Sequence, residues 1–229
     1  RLAMTEFQRM TDRYTNADHF YIDPENEQAA EYVLSKLKDY DIVIAGICGL
    51  AQKPASSYGV TQPLRDVVSR LAELDRSVIL WFGNPYGVAN LDLKVKPSAL
   101  LIAYQDNKYT HQTSVQVIFG ALGASGRLPV TINAGYNEGF GIKTAGSLRL
   151  QYGFPENAGM NSVALNSKVD SIVKSGLDSL AYPGCQVLIA RKGIVVLNKC
   201  YGFHLYDSTE AVSENDLWDL ASVTKVSAG

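Results

Sequence analysis

Ser222-Val-Thr-Lys225 sets a hydroxyl and an amine three positions apart. On one face of a helix that spacing lets a neutral lysine accept the serine proton before the oxygen attacks an acyl carbon. Ser222 is therefore the candidate nucleophile and Lys225 its candidate base. The pair is short enough to recur by accident, so its context decides its weight. Metal chemistry has less to stand on. The three histidines (His19, His111, His204) and three cysteines (Cys48, Cys185, Cys200) show no Cys-x-x-Cys or zinc-type His spacing. No metal site and no cofactor site is expected from them, and the odd cysteine count argues against a disulfide framework.

The elements that must carry this chemistry fall into two grammars. His19 to Ile22 reads as a short strand, and Glu25 to Leu37 as a helix opened by Pro24, with its stripe at Ala29, Ala30, Val33, Leu34 and Leu37. Asp41 to Ala45 is a nearly continuous apolar run, and Val78 to Phe82 and Ala99 to Ala103 are apolar throughout. Between and after them, Thr61 to Leu74 and Gln112 to Leu122 have one apolar face each. Apolar strands alternating with amphipathic helices require a parallel sheet covered on both faces. Residues 1–158 thus read as an α/β domain, a mostly parallel sheet sandwiched by helices, with 133–160 a Gly-rich excursion and linker.

Residues 161–229 read as a partial α+β domain. Val169, Ile172, Val173, Leu177 and Leu180 mark a helix, and Cys185 to Arg191 and Ile194 to Tyr201 an antiparallel hairpin about Lys192-Gly193. A two-residue turn there would set Cys185 opposite Cys200. A type I turn with Gly193 in a bulge slips the register by one, and this second form, with free thiols, is the expectation. So little structure buries little surface, and the region is expected to lean on the first domain or on another molecule, self-association included.

The stretch from Pro183-Gly184 through Gly193 and Gly202-Phe203 to Leu220-Ala-Ser222-Val-Thr-Lys225 resembles the opening of the serine β-lactamase and penicillin-binding-protein family, in particular its class C and esterase-like branch. The resemblance implies an acylated Ser222 with Lys225 as base partner. It also implies a Tyr-x-Asn element and a Lys-Thr-Gly or His-x-Gly strand beyond the nucleophile. Tyr14-Thr-Asn16 matches the first pattern in the other domain, and Lys143-Thr-Ala-Gly146 carries an extra residue. Neither is expected to serve, so the domain is expected to be cut short.

Gly83-Asn-Pro-Tyr86, Ile118-Phe-Gly120 and Ser125-Gly-Arg-Leu-Pro-Val130 make the first domain similar to the C-terminal α/β-sandwich domain of glycoside hydrolase family 3. In that family's β-N-acetylglucosaminidase branch, the catalytic Asp and its acid/base partner stand on a preceding (β/α)8 barrel. No residue here matches them. The two resemblances together imply a piece of a bifunctional glycan hydrolase, inactive by itself, whose glycan or peptidoglycan-type substrate is bound through the barrel. They favour a periplasmic or secreted setting. At the sequence level alone, Gly83 and Gly87 bracketing Asn84-Pro85 suit a sharp exit from a buried strand.

Composition narrows the alternatives. Of 229 residues, 46% are apolar, and Lys+Arg (21) nearly balance Asp+Glu (23) for a formal charge of −2. Neither nucleic acid nor an anionic surface is attracted by such a chain. The longest apolar runs are strand-sized, far short of the roughly 20 residues of a membrane span. "RLAMTEFQRM" has no secretion-signal pattern. A non-catalytic accessory domain is compatible with the hydrolase reading. A flavodoxin-like cofactor module fits less well: "DPENEQ" would repel phosphate, "AGICGLA" lacks the dinucleotide-loop spacing, and Cys48 within it reads as a buried thiol.

Overall fold

The structure is a computed structural model that describes residues 3–91 and 93–227. It is mixed α/β, with two open three-stranded sheets, and it divides into two compact units between Arg149 and Leu150.

The first unit is built on β1 (Val43–Ile47), β2 (Ser77–Trp81) and β3 (Ala99–Ile102), parallel and in that spatial order. Central β2 explains its own composition. Ile79, Leu80, Trp81 and the following Phe82 are all 0% exposed, because side chains pointing to either face meet protein. On one face, Ile79 and Trp81 join Leu34 and Leu37 of α2 (Glu27–Leu37) and Val67, Val68 and Leu71 of α3 (Gln62–Ala72) in one apolar cluster. Phe82 turns the other way, edge-on to Phe7 of α1 (Glu6–Asp12), with ring centroids 6.2 Å apart. Fully burying each such side chain stabilises the fold by about 1.5–3 kcal/mol.

Local signals start the helices. Asn26 and Thr61 cap α2 and α3, and α3 has Pro in its first turn. Thr5 and Gln8 form a capping box on α1, a helix the apolar periodicity does not announce. Asn107 and Thr110 form another on α4 (Lys108–Ile118). That cap starts α4 four residues before Gln112, where its apolar stripe begins. His19 to Ile22, expected as a strand, forms no ladder: His19 bonds Asp12 (2.7 Å) and Tyr40 bonds Asp18 (2.6 Å) through side chains, while Tyr21 is 67% exposed.

Gly83-Asn-Pro-Tyr86 is a strand exit. The Trp81 indole N–H donates to Asn84 O (2.9 Å), and Asn84 Oδ1 accepts from Tyr86 N (3.0 Å). A Cβ at Gly87 would come within 2.7 Å of the Trp81 ring. Leu128, at the start of the Leu-Pro-Val run, pairs its backbone with Gly139 and Phe140 and packs on the core, so part of the Gly-rich excursion is fixed.

The second unit begins earlier than the expected linker ends. β4 (Gln151–Tyr152) runs parallel to β6 (Ile194–Gly202), and β5 (Gly184–Arg191) pairs antiparallel on β6's other side, giving a mixed sheet. α5 (Ser162–Asp178) packs on β6, with Val173 buried. It is clamped there by Asp170, which accepts from Lys199 Nζ (3.1 Å) and Tyr201 OH (2.6 Å). The turn corrects the expected bulge at Gly193. Arg191 faces Ile194, with Lys192 and Gly193 both at positive φ (53° and 77°), as a two-residue type I′ turn demands. The slip falls further along instead: Val196 is the extra residue between Ala190↔Val195 and Ile189↔Leu197. Cys185 therefore faces Tyr201, Cys200 faces Gln186, and all three cysteines are free.

Candidate functional site

Ser222 is reached through the open end of the hairpin. Gly184 and Gly202 face each other there, and a Cβ on either would run into backbone of the other strand's end. Gly202 also holds φ +68°, so both glycines of the Pro-Gly and Gly-Phe pairs have steric reasons. From Gly202 the chain doubles back: Phe203 bridges Ala211, and His204 N donates to Glu210 O (2.8 Å). His204 then grips the next stretch, Nε2 lying 2.6 Å from Asp216 Oδ2 and Nδ1 3.3 Å from Glu210 Oε2. Ser213 donates its hydroxyl (2.5 Å) and its backbone N–H (2.8 Å) to the same Asp216 carboxylate. The bonds from Ser213, then His204, hold the Asp216 carboxyl down to about 2, and the Asp216 partner chiefly raises His204.

Trp218 Nε1 donates to Gln186 Oε1 of β5 (3.2 Å), and Asp219 Oδ1 accepts from Ala221 N (2.8 Å). Ala221 takes φ +43°, an unfavourable conformation for alanine, immediately before Ser222. Ser222 lies in the 3₁₀ turn Ala221–Val223, and Lys225 in the single helical turn α6 (Thr224–Ser227) that follows. The two expected site residues are brought together, Lys225 Nζ donating to Ser222 Oγ at 2.9 Å. Both are exposed, as are Leu217, Leu220, Val223 and Val226 beside them. Tyr14 and Lys143–Gly146 belong to the first unit and have local roles. Tyr14 stacks on Phe119 (5.1 Å), and Thr144 exchanges backbone and hydroxyl bonds with Ala124 (2.9 Å each).

A second cluster, in the first unit, has no counterpart in the motif reading. Cys48 follows β1, Asp106 ends the loop after β3, and His111 lies in the first turns of α4. Their ligand-type atoms all fall within 4.8 Å of one another. His111 is 8% exposed and packed on the Phe82 ring, centroids 4.3 Å apart, while Phe82 in turn covers Gly46. Asp106 Oδ2 accepts from Gly49 N (2.7 Å), leaving Oδ1 directed at His111 Nε2 (2.8 Å). Cys48 Sγ is 3.8 Å from that same nitrogen. Cys48 is an exposed residue, not the buried thiol expected. Desolvation of its sulfur, with the Asp106 charge adding, nevertheless pushes the thiol up to about 12. Asp106 and His111 are five positions apart, but Cys48 lies 63 positions before His111, and sequence spacing could not find the group because only the parallel order of the strands brings Cys48 to the other two.

No helix among the described residues is long and apolar enough to cross a membrane. Comparison of the chain with protein-family models, with curated proteins and with solved structures found no match.

Proposed function

We propose that the chain is part of a two-activity glycan hydrolase: a family 3-type α/β-sandwich unit joined to a serine acyl-hydrolase unit of the penicillin-recognising type. The observation that carries this reading is the 2.9 Å hydrogen bond between Lys225 Nζ and Ser222 Oγ. The parallel sheet with its Gly-Asn-Pro-Tyr strand exit supports the first half. The parent's glycan is a β-linked N-acetylhexosamine polymer or peptidoglycan, cleaved on a barrel that contributes the acid and the nucleophile. This unit serves it as an accessory.

In the acyl-transfer step a neutral Lys225 takes the Ser222 proton as Oγ bonds to the carbonyl carbon, and the C=O π pair moves onto oxygen. Collapse of that intermediate expels the leaving group, which receives the proton back from Lys225. Water then cleaves the ester. The second unit carries no Tyr-x-Asn element and no Lys-Thr-Gly or His-x-Gly strand to bind a lactam beside this pair, so the chain alone is expected to turn over neither glycan nor lactam.

Two probes test this, with the adduct mapped by mass spectrometry. A fluorophosphonate should label Ser222, fail on Ser222→Ala, and react at least about tenfold more slowly with Lys225→Met, the low end of what general-base help contributes. Equal rates in wild type and Lys225→Met would remove Lys225 from the reading, and absence of label at Ser222 would remove the nucleophile. A fluorescent penicillin should leave the chain unlabelled. Its capture at Ser222 would show that this chain is active by itself.

A further inference from the structure

We propose that Cys48, Asp106 and His111 bind a divalent transition-metal ion of the zinc class at the C-terminal ends of the parallel strands. Three donors of three kinds, thiol sulfur, imidazole nitrogen and carboxylate oxygen, converge from two segments: the loop after β1, which carries Cys48, and the start of α4 with the loop before it, which carry Asp106 and His111. A sulfur, nitrogen and oxygen set suits a borderline ion such as Zn²⁺ better than Mg²⁺ or Ca²⁺, which take oxygen donors.

The geometry separates this from a nucleophilic Cys-His-Asp relay. In a relay the thiol and the carboxylate address opposite nitrogens of the imidazole. Here Cys48 Sγ and Asp106 Oδ1 both address Nε2, at 3.8 and 2.8 Å. Sulfur, oxygen and that one nitrogen thus share a space less than 4.8 Å across, the scale of a metal's ligand shell. Tetrahedral zinc holds sulfur and nitrogen ligands about 3.5 Å apart, and oxygen and nitrogen about 3.3 Å apart, from bond lengths of about 2.3 and 2.0 Å. The first spacing is nearly met, and the second needs Asp106 to retreat by about half an ångström.

The surroundings are those of a ligand set held in place. Gly49 N fixes the far carboxylate oxygen, an outer-shell hydrogen bond of the kind that orients metal-bound carboxylates, and the Phe82 ring packs on the imidazole. Asn107 and Thr110 anchor the loop between Asp106 and His111 through the α4 cap. Cys48 is exposed, so an ion can enter from solvent, and three protein ligands leave a fourth position to water. On binding, the Cys48 thiol proton passes to solvent and the sulfur coordinates as thiolate. This site shares no residue with Ser222 and Lys225, and it stands or falls independently of the acyl-transfer reading.

The test is titration of the chelator-treated 229-residue protein with Co²⁺ and then Zn²⁺. One equivalent of Co²⁺ should give thiolate-to-cobalt charge transfer with tetrahedral d–d bands, both abolished by one equivalent of Zn²⁺. Cys48→Ser, a change at an exposed position, should lose the charge-transfer band. Cys185→Ser and Cys200→Ser should keep it. Asp106→Asn and His111→Gln should weaken zinc binding by more than the roughly 10- to 100-fold that loss of an outer-shell partner costs. Near-wild-type thermal unfolding serves as the control for folding. A charge-transfer band that survives in Cys48→Ser, or wild-type protein that gives none, overturns the proposal.

Discussion

His204 is held through both ring nitrogens by carboxylates, and the signs of its coupling set a pH window. Its raised pKa means that its contribution is complete below about 6.5 and is lost as pH rises through the folded value. Asp216, lowered to about 2, contributes fully above about 3.9, and that contribution is lost as pH falls through about 2. The clasp is therefore strongest between these limits and loosens toward alkaline pH. An NMR titration should place His204 above the ordinary histidine value, and Asp216→Asn should bring it down. A wild-type value at or below the ordinary one would contradict the clasp. Gly202 supplies a steric prediction. Alanine there must hold φ +68° and push its methyl onto the Pro183 carbonyl, so Gly202→Ala should cost about 1–3 kcal/mol or more in urea unfolding.

Elements differ in how openly their sequences declare them. The three parallel strands lie within two residues of where continuous apolar runs put them, since a strand buried on both faces leaves no room for polar side chains. α4 is less open. Its first turn carries Lys108, Tyr109 and Thr110, and only the Asn107 cap announces it; Asn107→Ala should cost about 1 kcal/mol, read by thermal or urea unfolding. The hairpin gives the opposite sign. Lys192 stands at φ +53° in a type I′ turn that prefers asparagine, so Lys192→Asn should raise the stability of the second unit by a few tenths of a kcal/mol up to about 1. No change, or a loss, would argue against the I′ turn. The free state of Cys185 and Cys200 was expected from a bulge at Gly193 but arises at Val196, where the pairing slips inside the strand. Apolar alternation alone does not locate such a slip.

At the scale of the whole molecule, each unit has its own sheet and its own tryptophan. Trp81 is 0% exposed in the first and Trp218 is 46% exposed in the second. Trp218→Phe should thus report only first-unit unfolding by fluorescence, and Trp218 emission should change at a lower denaturant concentration. Coincident transitions would mean that the units unfold together. Zinc, if it binds Cys48, Asp106 and His111, should raise the Trp81 transition and leave the other in place, because a ligand stabilises only the state it binds. The second unit exposes Leu217, Leu220, Val223 and Val226 next to Ser222.

What the sequence determined by itself was local or periodic. It yielded the α/β alternation, the buried character of the central strand, the hairpin about Lys192-Gly193, and the three-residue spacing that joins Ser222 to Lys225 within little more than one helical turn. The tertiary structure decided what depends on strand order and register. It brought Cys48 and His111, 63 positions apart, to 3.8 Å, set Cys185 opposite Tyr201, and drew Gln151 and Tyr152 into the second sheet. The physical reason is range. Side-chain pattern encodes which face a residue takes, whereas which loops meet at a sheet's edge is fixed only when the strands have paired.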